Sequence, residues 1–279
     1  MQLVVFGLGY TGTEIARAAV AEGARVIVTS RTPERLVAPP GVELVHFDSA
    51  GPALLAATHV LETAAPVDDG DPVLLRFRGA LGSPRWAGML STTGVYGDRG
   101  GGWVDEDTPP APTGPRGRRR WEAEQAWAAA FPHARVDLFR LAGIYGPGRS
   151  VLEDVRAGTA RRVDRPMHCF GRIHRDDIVQ AVLAAMRQTG PPGVRVLNLT
   201  DDEPAPNADV VTEAARLLGA PLPPLVPFET ALAAMSPMGR SFWAENRRVA
   251  SAKTQARLNI KWRYPSYQEG LAAVLAAEA

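Results

Sequence analysis

The stretch "MQLVVFGLGYTGTEIARAAVAEGARVIVTSR", residues 1–31, decides the fold of this chain. It opens with a continuous apolar run, Leu3–Phe6, which is typical of a strand buried on both faces of a parallel sheet. Small and apolar residues at helical spacing come next, and a second apolar run, Arg25–Val28, follows Gly23. The order strand, glycine turn, helix, strand predicts a βαβ unit whose two strands run parallel.

A glycine-rich motif, G-x-G-x-x-G, joins the first strand to the helix. Gly7 permits a tight turn, Gly9 lets a pyrophosphate approach the backbone, and Gly12 lets the helix pack close to the strand. The N-terminus of the helix would offer unpaired N–H groups and the positive end of its dipole to the phosphates. This context favours a dinucleotide site over a glycine-rich turn without a ligand. The cofactor contacts predicted here are Gly7, Leu8, Gly9, Tyr10, Thr11 and Gly12.

The end of the second strand distinguishes between two dinucleotides. Enzymes that use NAD usually place an acidic residue there, which bonds the ribose 2′-hydroxyl. This chain has Thr29, Ser30 and Arg31 instead, with no carboxylate to repel a 2′-phosphate. Ser30 and Arg31 could hold that phosphate by hydrogen bond and charge, so NADP is predicted over NAD. The alternative is that Arg31 is a plain surface residue, in which case NAD remains a candidate.

Further short apolar runs alternate with helical or loop segments along the chain. Strands are predicted at Val42–Phe47, Thr58–Leu61, Trp86–Leu90, Ala134–Phe139 and Val194–Leu199, and helices at Asp176–Gln188 and Asn207–Leu218. The alternation predicts an α/β fold with a doubly wound parallel sheet. We expect residues 1–145 to form the nucleotide-binding domain and residues 168–199 to return to its sheet. The remaining segments of 146–279 are expected to form a small substrate cap.

Polar and small residues follow several of the predicted strands. In a parallel sheet of this kind, ligands bind beyond the carboxyl ends of the strands. Taken singly, each of these residues is equally compatible with a plain turn. As a set at one edge they predict a cleft, with Asp48, Ala64, Ala65, Ser91 and Gly143 as further cofactor contacts.

Composition excludes several classes of protein. The formal net charge of +1 over 279 residues creates no global field that would attract nucleic acid or an anionic membrane. No apolar stretch reaches membrane-spanning length, and no basic signal region opens the chain. The single Cys169 excludes an internal disulfide, and the histidines lack the spacing of metal ligands. We therefore expect a cytoplasmic protein with a small-molecule substrate, without metal, nucleic acid or membrane partners.

Four motifs carry a family resemblance. They are "LSTTGVYGD" at 90–98, "FRLAGIYGPGR" at 139–149, "RIHRDDIVQAV" at 172–182 and "SAKTQARLNIKWRYPSYQEGL" at 251–271. Together with the N-terminal glycines they resemble the extended short-chain dehydrogenase/reductase family, which includes nucleotide-sugar epimerases and dehydratases. The resemblance spans nearly the whole chain. It implies a Rossmann domain with a small C-terminal substrate-binding α/β domain, and a homodimer formed through helices such as the one near residue 116.

The resemblance also implies a set of catalytic groups. A serine or threonine after the fifth strand polarises a substrate oxygen in the family, and this role falls on Thr92, with Ser91 and Thr93 beside it. Further along, the family carries a Tyr-x-x-x-Lys pair on one helix face. The two residues work together in acid–base catalysis. A tyrosine of pKa about 10 must exchange protons near neutral pH, and the charge of the lysine lowers the tyrosine pKa.

The stretch "PTGPRGRRRWEAEQ", residues 112–125, departs from that pattern. Glu124 matches the family glutamate, and counting back places Arg120 at the lysine and Arg116 at the tyrosine. Arg120 can still supply a positive charge and hold a ribose hydroxyl. Arg116 cannot exchange protons near neutral pH, because an arginine pKa lies above about 12. The predicted catalytic set is therefore atypical: Thr92, Ser91, Thr93, Arg116 and Arg120.

Other groups could supply the missing acid or base. Asp98 and Tyr145 follow the fifth and sixth strands and are the first candidates. Phe170 stands where many nucleotide-sugar enzymes carry an arginine that grips the diphosphate, so such sugars are disfavoured as substrates. His174 matches a family histidine and is more compatible with packing at a helix start than with catalysis.

Two functions remain open at this point. One is an NADP-dependent oxidoreductase or epimerase that acts on a small polar substrate with altered acid–base groups. The alternative is a non-catalytic NADP(H)-binding sensor or regulatory protein, which the absence of the tyrosine favours. Binding of nucleic acid by the arginine run is disfavoured because it is one short cluster in a nearly neutral chain.

Overall fold

Fifteen strands and eleven helices make up residues 1–278, the part of the chain that the computed structural model describes. The strands are β1 (Gln2–Phe6), β2 (Arg25–Ser30), β3 (Val42–His46), β4 (His59–Glu62), β5 (Trp86–Thr92), β6 (Trp103–Val104), β7 (Arg135–Leu141), β8 (Gly143–Tyr145), β9 (Arg162–Asp164), β10 (Cys169–Phe170), β11 (Arg172–His174), β12 (Gly193–Leu199), β13 (Ala205–Pro206), β14 (Leu225–Pro227) and β15 (Arg248–Val249). The helices are α1 (Tyr10–Ala21), α2 (Gly51–Leu55), α3 (Pro72–Phe77), α4 (Pro115–Ala130), α5 (Val151–Arg156), α6 (Arg175–Arg187), α7 (Asn207–Leu218), α8 (Phe228–Ala233), α9 (Pro237–Trp243), α10 (Ala252–Leu258) and α11 (Tyr267–Ala276).

Seven of the strands form one parallel sheet in the order β12-β7-β5-β4-β1-β2-β3. Leu3 of β1 lies opposite Val26 of β2 on one side and His59 of β4 on the other. The chain builds outward from β1 to β3 and then returns to the other side of β1 with β4, so the strand order reverses there. The predicted doubly wound parallel sheet is confirmed, and a sheet of this kind binds ligands in the crevice at such a reversal.

Two apolar layers cover the two faces of the sheet. On one face, Ile15 and Ala19 of α1 pack with Ile178 and Val182 of α6 in a cluster that also includes the buried residues of β1 and β12. On the other face, α2, α3 and α4 contribute side chains such as Trp127, which is fully buried. Burial on both faces explains why the strands read as continuous apolar runs in the sequence.

A third cluster lies among the C-terminal elements. Leu152 of α5, Val211 of α7 and Leu271 of α11 form its centre. Short strand pairs accompany it: β9 pairs with β14, and β10 pairs with β13. Two further pairs, β8 with β11 and β6 with β15, join the segments that follow β7 and β5 to later parts of the chain. These connections bring the C-terminal segments over the carboxyl edge of the large sheet.

The bounds of the elements follow local capping chemistry. The strand predicted at Val42–Phe47 ends at His46, because a 3-10 turn, Phe47–Ser49, begins there. The helix predicted at Asn207–Leu218 has those bounds and ends at Gly219, whose φ of 60° is left-handed. Within residues 1–278, every helix is too short or too polar to cross a bilayer.

Candidate active site

The three glycines of the first loop occupy different environments. Gly7 has a φ of 112°, and a Cβ there would lie 2.6 Å from Thr63 Oγ1. A Cβ on Gly12 would lie 2.4 Å from the carbonyl oxygen of Gly7, so this glycine lets α1 pack against the end of β1. A Cβ on Gly9 would meet nothing within 4 Å, although Thr11 in the next turn is buried. Packing therefore requires Gly7 and Gly12, while Gly9 leaves open space before the helix.

The N-terminus of α1 has features that suit the binding of an anion. No side chain caps it, so its first N–H groups are available. Tyr10 donates a hydrogen bond from its hydroxyl to the carbonyl of Pro147 at 3.0 Å. The guanidinium carbons of Arg175 and Arg149 lie 5.0 and 5.6 Å from the Tyr10 ring centre. Leu8 packs against the core beneath the loop. Arg175 pairs with Asp176 at 3.4 Å, so among residues 1–278 Arg149 contributes the unpaired positive charge beside the glycine loop.

The end of β2 carries a cation without a partner. Ser30 Oγ accepts a hydrogen bond from the Thr32 N–H at 3.1 Å. Arg31 is exposed and has no hydrogen-bond or ion-pair partner among residues 1–278. Asp48, at the end of the neighbouring strand, has a carboxylate oxygen 2.7 Å from Arg76 Nε. The acid nearest this edge is therefore already paired, and the arginine is free.

A cavity of about 780 Å³ lies between the carboxyl edge of the sheet and the C-terminal segments. Its walls come from the ends of β4, β5 and β7, the start of α4, and the segments 169–172 and 237–249. The cavity brings together six of the residues predicted from the sequence: Ala65, Thr92, Thr93, Arg116, Arg120 and Gly143. A volume of this size suits a small organic ligand.

The three hydroxyl residues at the end of β5 have two different environments. Thr92 lines the cavity, and its Oγ1 accepts a hydrogen bond from the Gly94 N–H at 3.1 Å, so its hydrogen is still available to a ligand. Thr93 also lines the cavity. Ser91 does not line it; its hydroxyl donates to the buried carboxylate of Glu124. The structure therefore places Thr92 and Thr93, and not Ser91, where a substrate could reach them.

Arg120 ties two strand ends together at the cavity. Its Nη1 donates to the carbonyls of Ala64 and Leu90, each at 3.1 Å. Two buried carboxyl groups, Glu62 and Asp71, lie close enough to interact with its charge. Burial raises the pKa of both carboxyl groups, and burial lowers the pKa of Arg120. Arg120 is thus a desolvated cation between two strands, close to where the family lysine would stand.

Sequence reasoning missed the acidic groups around Arg120. Glu62 ends β4, and its Oε1 accepts a hydrogen bond from the Ala64 N–H at 2.8 Å. Asp71 caps α3 by accepting hydrogen bonds from the N–H groups of Val73 and Leu74. The sequence offered one signal for these groups: Glu62 follows an apolar run. A charged residue at a buried position requires a partner, which would have indicated a nearby cation.

Arg116, which the sequence pattern aligns with the family tyrosine, is exposed at the rim of the cavity. Its guanidinium carbon lies 5.4 Å from the ring centre of Phe242, which belongs to α9. Stacking of a guanidinium on an aromatic face leaves the N–H edge of the arginine available to an anion. The sequence did not point to Phe242, because a contact between such distant positions leaves no local pattern.

Neither alternative acid–base candidate lines the cavity. Asp98 accepts hydrogen bonds from the N–H groups of Asn246 at 2.8 Å and Gly100 at 3.2 Å, and these bonds lower its pKa. The carboxylate of Asp98 therefore links the loop after β5 to the segment around Asn246 by hydrogen bonds. Tyr145 is buried in the C-terminal cluster, and burial raises its pKa. Its ring lies edge-on to His174, with the centres 5.2 Å apart.

His174 begins α6 as a capping residue. Its Nδ1 accepts a hydrogen bond from the Asp176 N–H at 3.2 Å. Burial lowers its pKa to about 4, so the ring is neutral at pH 7, as an acceptor at Nδ1 requires. This arrangement agrees with the packing role predicted for it.

Known structures resemble the chain over its whole length. A conserved protein of unknown function from Silicibacter pomeroyi DSS is 44% identical, with a TM-score of 0.89 and 99% of each chain covered. A protein from Methylobacillus flagellatus, provisionally described as an NAD-dependent epimerase/dehydratase, is 26% identical, with a TM-score of 0.74 and 99% and 98% coverage. The human epimerase family protein SDR39U1, solved with NADPH, is 19% identical, with a TM-score of 0.79 and 99% of each chain covered.

Curated relatives match a shorter part. The 3-diazoavenalumate denitrifying reductase of a Streptomyces species is 33% identical over 147 residues, which is 48% of this chain and 45% of that protein. The chain thus aligns with less than half the length of the curated relatives it matches. No protein-family model matches it.

Proposed function

We propose that this chain is a member of the extended short-chain dehydrogenase/reductase family and an NADP-dependent oxidoreductase acting on a small molecule. One observation carries the proposal. A cavity of about 780 Å³ at the carboxyl edge of the sheet is lined by Thr92, Arg116 and Arg120, which the family resemblance aligns with catalytic groups. Among residues 1–278, no tyrosine lines it.

The glycine loop fits a dinucleotide. The space over Gly9 is one that a side chain would fill, and α1 behind it has no capping side chain. Backbone N–H groups at a helix start are suited to a pyrophosphate. Arg149 adds positive charge beside the loop. The human relative was solved with NADPH, and other relatives of the same fold were solved with NAD, which supports a nicotinamide dinucleotide.

The cavity favours hydride transfer over epimerisation. A bound nicotinamide dinucleotide would supply the hydride. Thr92 can donate a hydrogen bond to a substrate oxygen, and Arg120 can hold a polar group of the cofactor or the substrate. Epimerisation by the family route needs a group that removes and returns a hydroxyl proton, and an arginine at residue 116 does not do this near neutral pH. Reduction of a carbonyl also needs a proton, so an acceptor that takes this proton from water suits this chain better than one that depends on a tyrosine.

The preference for NADP is tested at Arg31. In fluorescence titrations of the full chain, we expect Arg31→Ala to weaken NADPH binding about tenfold or more and to leave NADH binding unchanged. The reason is that a charge-assisted hydrogen bond contributes about 1.5–3 kcal/mol. Arg25→Ala is the matched control, because Arg25 is an exposed arginine at the opposite end of β2 and pairs with Glu43 at 3.2 Å. Equal affinity of the wild type for NADH and NADPH would sink the NADP assignment.

The role of Thr92 is tested by turnover. The wild type is offered aldehydes, ketones and sugars with NADPH, and oxidation of the cofactor is followed by its absorbance. Thr92→Val keeps the shape of the side chain and removes the hydroxyl, so we expect kcat to fall about tenfold with NADPH affinity unchanged. Tight NADPH binding with no oxidation across the whole panel would favour the sensor over the oxidoreductase.

A further inference from the structure

Five arginines line the cavity: Arg116, Arg119, Arg120, Arg172 and Arg247. Such a set suggests at first a site for a highly charged ligand. Whether it is one depends on how many of these guanidinium groups already have partners within the protein, because a paired cation attracts a ligand anion far less than a free one.

Two of the five arginines form ion pairs. Arg119 pairs with Asp68 on the loop before α3. Arg247 Nη1 lies 2.7 Å from Glu245 Oε2 and also donates to the carbonyl of Gly97 at 2.8 Å. The charge of both guanidinium groups is therefore satisfied before any ligand arrives.

Two more arginines are held by backbone carbonyls. Arg120 donates to two strand ends, as described above, with Glu62 nearby. Arg172 Nη1 donates to the carbonyls of Phe170 at 2.9 Å and Ala205 at 3.3 Å. Asp201 is the carboxyl group that acts most on Arg172, but burial raises the pKa of Asp201 to about 8, so this carboxyl group is mostly protonated at pH 7. In both arginines, Nη1 is therefore engaged by backbone carbonyls before any ligand arrives.

Arg116 differs from the other four. Among residues 1–278 it has no hydrogen-bond or ion-pair partner, and its one recorded interaction is with the Phe242 ring, 5.4 Å away. A guanidinium on an aromatic face keeps its planar fork free for bidentate pairing with a carboxylate. Among residues 1–278, Arg116 is therefore the one cavity arginine whose guanidinium has no hydrogen-bond or carboxylate partner, and it is backed by an aromatic ring.

The wall beside Arg116 is aromatic and apolar. Phe170 lines the cavity and packs edge-on against Trp243, with ring centres 4.8 Å apart. His168 lies 4.8 Å from Phe170, and burial lowers its pKa to about 4, so this ring is neutral at pH 7. On α9, Met238 and Phe242 line the cavity although 62% and 55% of their surfaces are exposed. Exposed apolar side chains around a cavity indicate a ligand that covers them.

We propose that the cavity binds a small aromatic carboxylic acid, whose carboxylate pairs with Arg116 and whose ring packs against Phe242 and Phe170. The inference rests on the proposed function, since it names the substrate class of that site. One free guanidinium suits a single negative charge. A nucleoside diphosphate sugar carries more charge than one free guanidinium can match, and the side chain of Phe170 itself offers its phosphates no donor.

The test compares ligands that differ in one feature. Isothermal titration calorimetry with the full chain, with and without NADP⁺, measures binding of trans-cinnamate, trans-cinnamamide and UDP-glucose. Cinnamamide keeps the ring and removes the charge. We expect cinnamate to bind about tenfold or more tighter than cinnamamide, because charge-assisted bonds to an arginine fork are the stronger kind. UDP-glucose is expected to bind more weakly than cinnamate.

Two arginine variants test whether Arg116 is the cation that binds the carboxylate of cinnamate. Arg116→Gln should lower cinnamate affinity to about that of cinnamamide, with cinnamamide affinity and NADP⁺ affinity unchanged. Arg118→Gln is the matched control, because Arg118 lies on the same helix, is exposed, and donates to the Thr113 carbonyl outside the cavity. Phe242→Ala should weaken cinnamate and cinnamamide by equal factors, since it removes the ring and leaves the charge.

The outcomes separate this inference from the proposed function. If cinnamate binds through Arg116 but NADP⁺ does not bind at all, the proposed function is wrong and the carboxylate site stands. If NADP⁺ binds, three results overturn the inference: equal affinity for cinnamate and cinnamamide, tighter binding of UDP-glucose, or no effect of Arg116→Gln. Failure of cinnamate to bind the NADP⁺ complex also contradicts it.

Discussion

Replacing Gly9 with valine is expected to abolish dinucleotide binding while leaving the stability of the fold unchanged. A Cβ at Gly9 meets no atom within 4 Å, so the protein itself accommodates the new side chain. The space that valine would fill is the one a pyrophosphate needs at the start of α1. Loss of two backbone bonds to a charged group, at about 1.5–3 kcal/mol each, should raise the Kd for NADPH at least about 100-fold.

The matched control for that experiment is Gly12→Ala in the same motif. A Cβ at this position would lie 2.4 Å from the carbonyl oxygen of Gly7, which is far inside contact distance. This variant should therefore lose thermal stability, because α1 must move away from β1. Thermal unfolding and NADPH titration are measured on both variants. Unchanged NADPH binding by a folded Gly9→Val protein would show that the loop does not hold the pyrophosphate.

The fold was predictable because its signals are local. The run Leu3–Phe6, the glycine motif and the run from Arg25 stand in adjacent positions, and each specifies one element of a βαβ unit. The later strands also alternate with helices or loops along the chain, and this alternation predicts a doubly wound sheet. The errors were at the ends of elements, as at Phe47, where a 3-10 turn replaces the last strand residue.

The candidate site was predictable only in part. The register of the Val95-Tyr96 turn pointed to Thr92, which lines the cavity in the structure. Ser91 was grouped with it, although successive side chains in a strand point to opposite faces. In the structure Ser91 accordingly points to Glu124 within the fold. The alternation along β5 was the available signal for separating the two residues.

The charge balance of the cavity lay outside the reach of sequence reasoning. Arg116 and Arg120 are neighbours on one helix face and look equivalent in the sequence. Arg120 is surrounded by Glu62 and Asp71 from other elements, whereas Arg116 meets the Phe242 ring from α9. These partners come from distant positions in the chain and are set by tertiary packing. Arg120 therefore hydrogen-bonds to two strand ends, whereas the guanidinium of Arg116 remains without a polar partner among residues 1–278.

Replacing Glu124 with alanine is expected to lower the free energy of unfolding by about 3–5 kcal/mol. Glu124 is fully buried, and its Oε2 accepts a hydrogen bond from Arg140 Nη2 at 2.8 Å. Its other oxygen accepts from Ser91, and Arg140 stacks 4.8 Å from the Tyr96 ring. Removing one partner of a buried ion pair leaves an uncompensated charge, which accounts for the size of the effect. Urea denaturation followed by tryptophan fluorescence measures it.

Glu122→Ala is the matched control, because Glu122 is exposed on the same helix and its loss should change stability by less than about 0.5 kcal/mol. A double variant, Glu124→Leu with Arg140→Met, separates charge from packing. It removes both charges and keeps most of the volume, so it should be more stable than Glu124→Ala. If the double variant is no more stable, lost packing and not the unpaired Arg140 causes the effect, and the account of the ion pair is wrong.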